Sequence, residues 1–438
     1  MQNSVFSRQL VESIVDELKI TDLAQATIGQ VVLLASALEQ RTGIPFIRMD
    51  QGVPGLSPNQ VGIAAEKAAL DTGIAAIYPA AEGVPELKRE TSRFVKAFLN
   101  VDITPEACIP TTGSVAGSFG SFIVTSQCSP GKDTVLFIAP GFPIQKSQLK
   151  ILGVKYRQFD IFNYRGAALR DKLESFLKEG NISAIIYSNP NNPAWICLEE
   201  EELQIIGELA TQYDTIVLED LAYFAMDFRR DLSRPFEPPF QATVARYTDN
   251  YMLMLSASKI FSYAGQRMAV VCISDKLFNR RYPALAERYN GAGLFGNTFT
   301  NAIMYMITSG ASHSVQFGLA AMYKAACDGQ IDFVADTMEY GRRAEKMKRL
   351  FCKNGFHVVY DKDVEQPIGD GFFFTIGYPG MTSGELMREL LYYGISSITL
   401  NTTGSLQEGI RACTSRMTDE LFDILEQRLK AFKTDHPL

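Results

Sequence analysis

The chain of 438 residues has few of the side chains that build metal sites and disulfide frameworks. Its seven cysteines are scattered without a Cys-x-x-Cys pair, and their odd number argues against a disulfide framework. Its three histidines are not spaced for metal coordination, so we do not expect a zinc site. No basic block occurs among the 42 basic and 49 acidic residues, which argues against nucleic-acid binding.

Long apolar runs are also missing from the sequence. Residues 290–323 carry no charged side chain, but polar residues and glycine interrupt them, and the stretch lacks the ~20 consecutive apolar residues of a membrane span. Residues 1–19 lack the continuous apolar core of a signal peptide. We therefore expect a cytoplasmic protein that binds neither membranes nor nucleic acids.

Short β-rich segments, separated by helical patterns, fill the middle of the chain. Several contain consecutive apolar residues, which indicates strands that are buried on both faces of a parallel sheet. The pattern predicts an α/β domain over residues 51–309, with helices on both faces of a mostly parallel sheet. We expect residues 310–438 to form a smaller α+β domain and residues 1–50 to form an N-terminal arm that packs on it. The predicted strands are TVLFIAP (134–140), VKYRQFDI (154–161), SAIIYSNP (183–190), TIVLEDLAY (215–223), YMLMLSAS (251–258) and MAVVCIS (268–274).

Polar and charged side chains stand at the ends of these strands, where open α/β sheets bind their ligands. Asn192 lies in an Asn-Pro-Asn-Asn-Pro run after the third segment. Asp220 and Tyr223 lie in the fourth segment, and Ser256 and Lys259 lie at the end of the fifth. Each also has an ordinary structural explanation, because Asn-Pro pairs are common in turns and strand-end carboxylates are often caps or ion-pair partners. A lysine at a strand end can mark the exit of the strand into solvent.

Together, these side chains suit a single ligand, pyridoxal 5′-phosphate (PLP). The stretch 111–122 is rich in small residues and opens a helix, whose N-terminal N–H groups suit a phosphate, as do serine hydroxyls and Arg267. A Schiff base would remove the ammonium charge of Lys259 from a buried strand end. A strand-end aspartate such as Asp220 suits the pyridinium nitrogen of PLP. An asparagine together with a tyrosine suits its phenolate oxygen.

The order and spacing of these motifs resemble those of the class I/II aminotransferases, which are fold type I PLP-dependent enzymes of the aspartate aminotransferase type. Two motifs are the most specific part of the resemblance. The first is Asp220-x-x-Tyr223, and the second is Ser256-x-Ser-Lys259 with Arg267 eight residues later.

Two further segments are similar to signatures of that family. Tyr78, followed by Gly-x-Pro-x-Leu at residues 83–87, resembles one of them, and Gly-Ile-Arg411 resembles the segment with the family's substrate-carboxylate arginine. The chain departs from the family where Asn-Pro is followed by Ala-Trp195 instead of the usual Thr-Gly. Lys88 also stands where an arginine is usual.

The resemblance implies roles for individual residues. Lys259 would form the internal aldimine with PLP and, once freed by the substrate, would move the proton of the substrate Cα. Asp220 would keep the ring nitrogen of PLP protonated, since a nearby carboxylate favours the charged form. The other implied contacts with PLP are those of Gly113, Ser114, Ser256 and Arg267 with the phosphate, of Phe142 with the ring face, and of Asn192 and Tyr223 with the phenolate oxygen. Tyr78 would reach the phosphate of the partner chain's cofactor across a homodimer interface. Arg411, Asn192 and Gly52 would bind the substrate.

The expected reaction is the transfer of an amino group between an amino acid and a 2-oxo acid. A PLP-dependent lyase or synthase of the same fold would keep the same residues, so the cofactor motifs leave that alternative open. A non-enzymatic PLP-binding regulator would need a DNA-binding module, but residues 1–50 contain no basic recognition helix. A nucleotide-binding protein is a further alternative, but neither G-x-G-x-x-G nor G-x-x-x-x-G-K-[ST] occurs.

The sequence also bears on the amino donor. Family members that take acidic substrates bind the distal carboxylate with a second arginine, which the partner chain supplies from a segment after the catalytic lysine. The corresponding stretch here, residues 290–301, contains Leu294, Phe295 and Phe299 but no arginine. We therefore expect a neutral or aromatic donor in preference to aspartate or glutamate.

Overall fold

A seven-stranded sheet organises the larger of the two units into which the chain divides in the computed structural model, which describes residues 3–438. The larger unit contains residues 56–191 and 197–337. The smaller unit contains residues 192–196 and 338–438, together with the N-terminal residues up to Gly55.

The strands are β1 (Ile47–Arg48), β2 (Cys108–Thr111), β3 (Thr134–Ala139), β4 (Lys155–Asp160), β5 (Ile182–Ser188), β6 (Ile216–Leu221), β7 (Tyr251–Ser256), β8 (Ala269–Ile273), β9 (His357–Val358), β10 (Lys362–Asp363), β11 (Gln366–Pro367), β12 (Phe373–Gly377), β13 (Ile395–Ser396), β14 (Ile398–Thr399) and β15 (Ile410–Cys413).

The helices are α1 (Arg8–Glu17), α2 (Ile28–Thr42), α3 (Gln60–Asp71), α4 (Pro85–Leu99), α5 (Gly113–Gln127), α6 (Pro143–Leu152), α7 (Ala168–Leu177), α8 (Glu200–Gln212), α9 (Ala257–Ile260), α10 (Asp275–Phe278), α11 (Pro283–Tyr289), α12 (Phe295–Asn297), α13 (Tyr305–Thr308), α14 (His313–Cys327), α15 (Phe333–Thr337), α16 (Glu339–Lys353), α17 (Ser383–Tyr392) and α18 (Asp419–Asp435). A π-helical segment, Thr298–Met304, joins α12 to α13. In the part of the chain that the structure describes, no helix combines the length and the apolar character that crossing a membrane requires.

The large sheet has the strand order β2-β8-β7-β6-β5-β3-β4. Strands β3 to β7 run parallel to one another, whereas β8 is antiparallel to both of its neighbours. The predicted α/β fold with a mostly parallel sheet is therefore confirmed. Every position of β3, β5, β6, β7 and β8 is buried, which explains their consecutive apolar residues. The strand pattern of the sequence does not predict β2, a short edge strand that contains Pro110.

An apolar layer covers one face of the large sheet. It contains Phe122 of α5, Phe137 of β3 and Met254 of β7. Phe295 and Phe299, which come from the charge-free stretch after α11, are fully buried in the same layer. The layer thus joins this stretch to the face of the sheet on which α5 lies.

The smaller unit is built on a four-stranded antiparallel sheet with the order β14-β15-β12-β9. Its apolar core includes Val11 of α1, Leu34 of α2, Phe351 of α16, Leu390 of α17 and Phe432 of α18. Helices α1 and α2, which lie in the predicted N-terminal arm, are therefore part of the core of this unit.

The boundary between the two units differs from the predicted one. It falls after Thr337 instead of after residue 309, because α14 packs along α3 and α4. Gln316 of α14 accepts a hydrogen bond from the backbone N–H of Val84 at 2.8 Å, and Met322 of α14 lies directly against Gly62 of α3. The helical pattern of α14 shows that it has an apolar face but does not show which helices that face contacts.

Candidate active site

The strand β7 leads directly into the one-turn helix α9, which carries Lys259. Ser256 ends the strand and caps this turn, because its hydroxyl oxygen accepts a hydrogen bond from the backbone N–H of Ser258 at 3.2 Å. Lys259 is only partly exposed. The chain therefore turns at the carboxyl end of the sheet, and Lys259 stays there instead of leading the strand into solvent.

Asp220 lies near the end of the neighbouring strand β6, opposite Met254 of β7. The residue is 6% exposed, and its carboxylate accepts hydrogen bonds from the backbone N–H of Ala222 at 3.1 Å and from Nε2 of Gln145 at 3.0 Å. Burial raises the pKa of Asp220 to about 6, and both donors are neutral groups. A cation beside this carboxylate would lower its pKa, so the position suits a pyridinium nitrogen.

Gly113 and Arg267 lie against each other at the start of α5. Gly113 has a φ of +75°, which L side chains rarely adopt, and a Cβ there would lie 2.5 Å from Nη2 of Arg267. The guanidinium is therefore close to a helix N-terminus, where backbone N–H groups have no intrahelical acceptors. Ser114 follows in the first turn and is partly buried. This arrangement fits the phosphate group of PLP, because both the N–H groups and the guanidinium favour an anion.

The other predicted contacts of the larger unit lie in three separate places. Phe142 is the N-cap residue of α6, and Gln145 follows it in the first turn. Tyr223 is buried in the turn after β6. Tyr78, in contrast, is 89% exposed on the surface of this unit. The hydrogen bond from Gln145 to Asp220 thus links the helix of Phe142 to the predicted pyridinium partner.

Arg411 lies on β15 in the smaller unit and is 1% exposed. Its Nη1 donates to Oδ1 of Asn192 at 3.1 Å, and its Nη2 donates to the backbone carbonyl of Asp50 at 2.7 Å. The guanidinium carbon lies 4.5 Å from the ring centroid of Phe373. The structure thus brings together two of the predicted substrate contacts, Arg411 and Asn192.

Asp50 is held in place by Arg48. Nε and Nη2 of Arg48 donate to the two carboxylate oxygens of Asp50 at 2.9 and 3.0 Å, and Ser396 also donates to this carboxylate. This bidentate pair orients the backbone carbonyl that Arg411 contacts. Gly52, the third predicted substrate contact, follows Asp50 by two residues and is partly buried.

The sequence patterns do not single out Gln145, Arg48 or Asp50, although each supports a predicted site residue. Gln145 is separated by 75 residues from the carboxylate that it contacts, so no local pattern connects the two. Its position one helical turn after Phe142 is the only signal that could have indicated it. Arg48 and Asp50 are two residues apart at a short strand, so their side chains leave the same face.

The aromatic residues of the stretch 290–301 are core residues. Phe295 and Phe299 are fully buried in the apolar layer of the larger unit, so neither is available to contact a substrate. Asn290, Asn297 and Asn301 are the exposed polar residues of the stretch. The lack of a cation in this stretch therefore still argues against an acidic donor, but its phenylalanines give no support to an aromatic one.

Lys88, which replaces the arginine that is usual in the family, has a structural role in this chain. Its Nζ donates to the backbone carbonyls of Glu82, Glu106 and Cys108 at 2.9, 3.2 and 2.7 Å. These bonds tie the start of α4 to β2, the strand that leads to Gly113. Lysine at position 88 therefore still supplies a charged hydrogen-bond donor to the strand that leads to Gly113.

Comparisons with known proteins find one family. The sequence model of the family described as "Aminotransferase class I and II" matches residues 45–429. The aspartate aminotransferase of Sulfolobus acidocaldarius is 24% identical over 277 residues, which are 61% of this chain and 66% of that protein. The glutamate-pyruvate aminotransferase AlaC of Escherichia coli is 33% identical over 153 residues, which are 33% of this chain and 35% of that protein. The aligned stretches thus span less than two thirds of the length of either relative.

Solved structures share the fold over nearly the whole chain. The alanine aminotransferase of Pyrococcus furiosus has a TM-score of 0.74 at 19% identity, covering 96% of this chain and 99% of that one. An aminotransferase from Mycobacterium tuberculosis has a TM-score of 0.74 at 17% identity, covering 94% of this chain and 96% of that one. At these identities the likeness concerns the fold alone.

The raised pKa of Asp220 predicts how stability depends on pH. The folded protein holds the carboxyl proton of Asp220 more tightly than the unfolded chain does. The protonated carboxyl therefore contributes stability that is fully present below about pH 4 and is lost as the pH rises through about 6. In the cofactor-free protein, Asp220→Asn should therefore increase the free energy of unfolding by about 1–3 kcal/mol at pH 8 and by much less at pH 4.5. Urea unfolding at the two pH values measures the difference.

Asp133→Asn is the control for this experiment. Asp133 is exposed and pairs with Lys155, whose hydrogen bond lowers the pKa of that carboxyl, so the substitution should not stabilise the protein at pH 8. An equal gain from both substitutions would show that burial of Asp220 is not the cause.

Proposed function

Because the chain belongs to the class I and II aminotransferases, we propose that it moves an amino group between an amino acid and a 2-oxo acid, with PLP as its cofactor and Lys259 as the residue that binds it. The main support is the position of the buried Asp220 carboxylate, on the strand next to the one that leads into Lys259. The relatives and solved structures described above are all aminotransferases, which favours this reaction over the lyase or synthase alternative.

The residues of the larger unit fit PLP by the chemistry of their donors. When it is bound, the cofactor supplies an electron sink for the negative charge that develops at the substrate Cα. The carboxylate of Asp220 would face the ring nitrogen, and each ionised group would favour the charged form of the other. The phosphate would be held by Gly113, Ser114, Ser256 and Arg267, the ring face by Phe142 and the phenolate oxygen by Tyr223.

Lys259 would also move a proton. An amine is a general base only when it is neutral, and binding of the amino acid would free Nζ of Lys259 in that form. Nζ would then accept the proton that leaves the substrate Cα and donate it again later in the reaction. The turn that carries Lys259 is capped by Ser256, which would limit the orientations from which that transfer takes place.

In the smaller unit, Arg411 would bind the α-carboxylate of the substrate, and Asn192 and Gly52 would lie beside it. A guanidinium presents two parallel N–H groups to a carboxylate, which a lysine cannot do. The contacts of Arg411 with Asn192 and with the carbonyl of Asp50 restrict the rotation of the guanidinium. A fixed donor loses less conformational entropy when the carboxylate binds.

For the donor, we propose a neutral or aromatic amino acid. Residues 290–323 contain no arginine or lysine, so that stretch offers no cation to a distal carboxylate. The exposed polar residues between positions 290 and 301 are Asn290, Asn297 and Asn301, whose side chains are uncharged hydrogen-bonding groups.

We also propose that the protein is a homodimer in the cytoplasm. Ile77, Tyr78, Tyr305 and Met306 are apolar or aromatic side chains that are between 45% and 89% exposed. A ring nitrogen of His313 lies 3.0 Å from the carbonyl oxygen of Ile77, which ties the segment of Ile77 and Tyr78 to the start of α14. A second copy would remove this apolar surface from water. No disulfide forms within residues 3–438, which include all seven cysteines, and this suits a reducing compartment.

Reduction with borohydride tests the assignment of Lys259. After the protein has been loaded with PLP, reduction and peptide mapping should find the pyridoxyl group on Lys259, and Lys259→Ala should lose essentially all transamination. Lys146 is the matched control, because it is a buried lysine of the same unit whose pKa is lowered to about 8 by burial. Labelling of Lys146 in place of Lys259 would refute the assignment.

Substitution of two arginines tests the carboxylate site. Arg411→Ala should reduce kcat/KM by about 10–100-fold for every amino acid that is a substrate, because a hydrogen bond to a charged group contributes about 1.5–3 kcal/mol. Arg411→Lys should recover little of the loss, since it keeps the charge but not the fork. Arg416 is exposed five residues later, and Arg416→Ala should change kcat/KM less than twofold. Equal losses at both positions would leave Arg411 without the proposed role.

Light scattering tests the homodimer. The protein should have the mass of two 48.6-kDa chains at micromolar concentration. Met306→Glu should produce monomers, because it places a charge in the exposed apolar patch. Ile151→Glu alters an equally exposed side chain on α6 and should leave the mass unchanged. A fully active wild-type monomer would contradict the proposal.

A further inference from the structure

Trp195 stands where the family usually has a glycine, and its backbone adopts a conformation that favours glycine. Its φ is +63°, in the left-handed region that residues with a Cβ rarely adopt. This conformation costs free energy that neighbouring contacts must offset. The side chain is fully buried, and the contacts of the indole ring with Gly371 and Phe373 contribute to that offset.

The indole ring lies directly on the backbone of Gly371. A Cβ at Gly371 would overlap the Cζ2, Cε2 and Nε1 atoms of the ring. Gly371 is not among the residues with a positive φ, so its backbone could accommodate alanine. Position 371 therefore requires glycine only because the ring of Trp195 occupies the space that a Cβ would need.

Two routes connect Trp195 with Arg411. In the first, the indole meets the ring of Phe373 edge to face, with centroids 6.3 Å apart, and the guanidinium of Arg411 lies over the same phenylalanine ring. In the second, Trp195 anchors the segment that contains Asn192, whose side-chain oxygen accepts the hydrogen bond from Nη1 of Arg411. Through these two routes, Trp195 is connected to the ring under the guanidinium and to the acceptor of its Nη1 group.

We propose that Trp195 is a positioning residue for Arg411 and that it sets the affinity of the smaller unit for the carboxylate of the substrate. A displaced indole would let Phe373 and the Asn192 segment shift, and the guanidinium would lose the orientation that bidentate binding requires. This inference rests on the proposed function only in taking Arg411 as the carboxylate site.

The test adds one methyl group beneath the indole. In the PLP-loaded protein, Gly371→Ala should raise the Kd of 3-phenylpropionate, a carboxylate that cannot be transaminated, about tenfold by calorimetry. KM for amino and oxo acids should rise by a similar factor, while kcat changes less than threefold. The double variant Trp195→Phe/Gly371→Ala should recover the affinity to within about threefold of wild type, because a smaller ring leaves room for the methyl group.

Gly29→Ala is the matched control, because it adds the same methyl group to α2 of the same unit where only an ordinary contact awaits it. Its Kd should equal that of wild type. An unchanged Kd in Gly371→Ala would overturn the proposal, as would a double variant no better than the single one. If Gly371→Ala does not fold, Trp195→Gly decides the matter, since it keeps a residue suited to the positive φ and removes only the ring. An unchanged Kd in that variant would also overturn the proposal.

The same data separate this inference from the proposed function. Binding of 3-phenylpropionate requires no transamination. If the wild-type protein fails to transaminate but its carboxylate affinity responds to these substitutions as expected, the proposed reaction is wrong and the role of Trp195 stands. If transamination is normal and the affinity does not respond, the proposed reaction stands and the role of Trp195 is wrong.

Discussion

The burial of one carboxylate at the end of a parallel strand constrains much of the larger unit. Asp220 loses most of its hydration in the folded chain, and its ionised form is disfavoured until other groups compensate. Ala222 and Gln145 compensate in part with neutral N–H groups. Because Gln145 reaches the carboxylate from α6, the start of that helix is tied to the end of β6. The sheet register then brings the carboxylate beside the strand that leads into Lys259, where a cationic ring nitrogen would complete the compensation.

A buried charge organises the smaller unit in the same way, with the opposite sign. The guanidinium of Arg411 needs ordered acceptors once water is excluded, and the acceptors need supports of their own. The carbonyl of Asp50 is oriented by the bidentate contact of its side chain with Arg48, and the side-chain oxygen of Asn192 accepts from Nη1 of Arg411. Trp195, where the chain departs from the family pattern, and the guanidinium of Arg411 both lie against the ring of Phe373.

The sequence predicts those features of the fold in which burial produces a run of apolar residues. The inner parallel strands β3, β5, β6 and β7 are buried at every position, so the sheet could be predicted, and with it the positions of Asp220 and Lys259 at strand ends. Contacts between distant parts of the chain have no such pattern, and the only sequence signal for Gln145 is its position one helical turn after Phe142. A helical pattern also gives no information about its partner, so the boundary at Thr337 could not be placed. Phenylalanines such as Phe295 have the same apolar signature in a core as in a binding site, and only their three-dimensional surroundings distinguish the two.

The chain contains one tryptophan, and it is Trp195. Light at wavelengths beyond the absorption of tyrosine therefore excites a single ring, and the emission reports on a single location. That location is in contact with Phe373, and the guanidinium of Arg411 lies over the same phenylalanine ring. The protein thus carries a native fluorophore next to its buried arginine, and the state of the smaller unit can be followed in solution without attaching a dye.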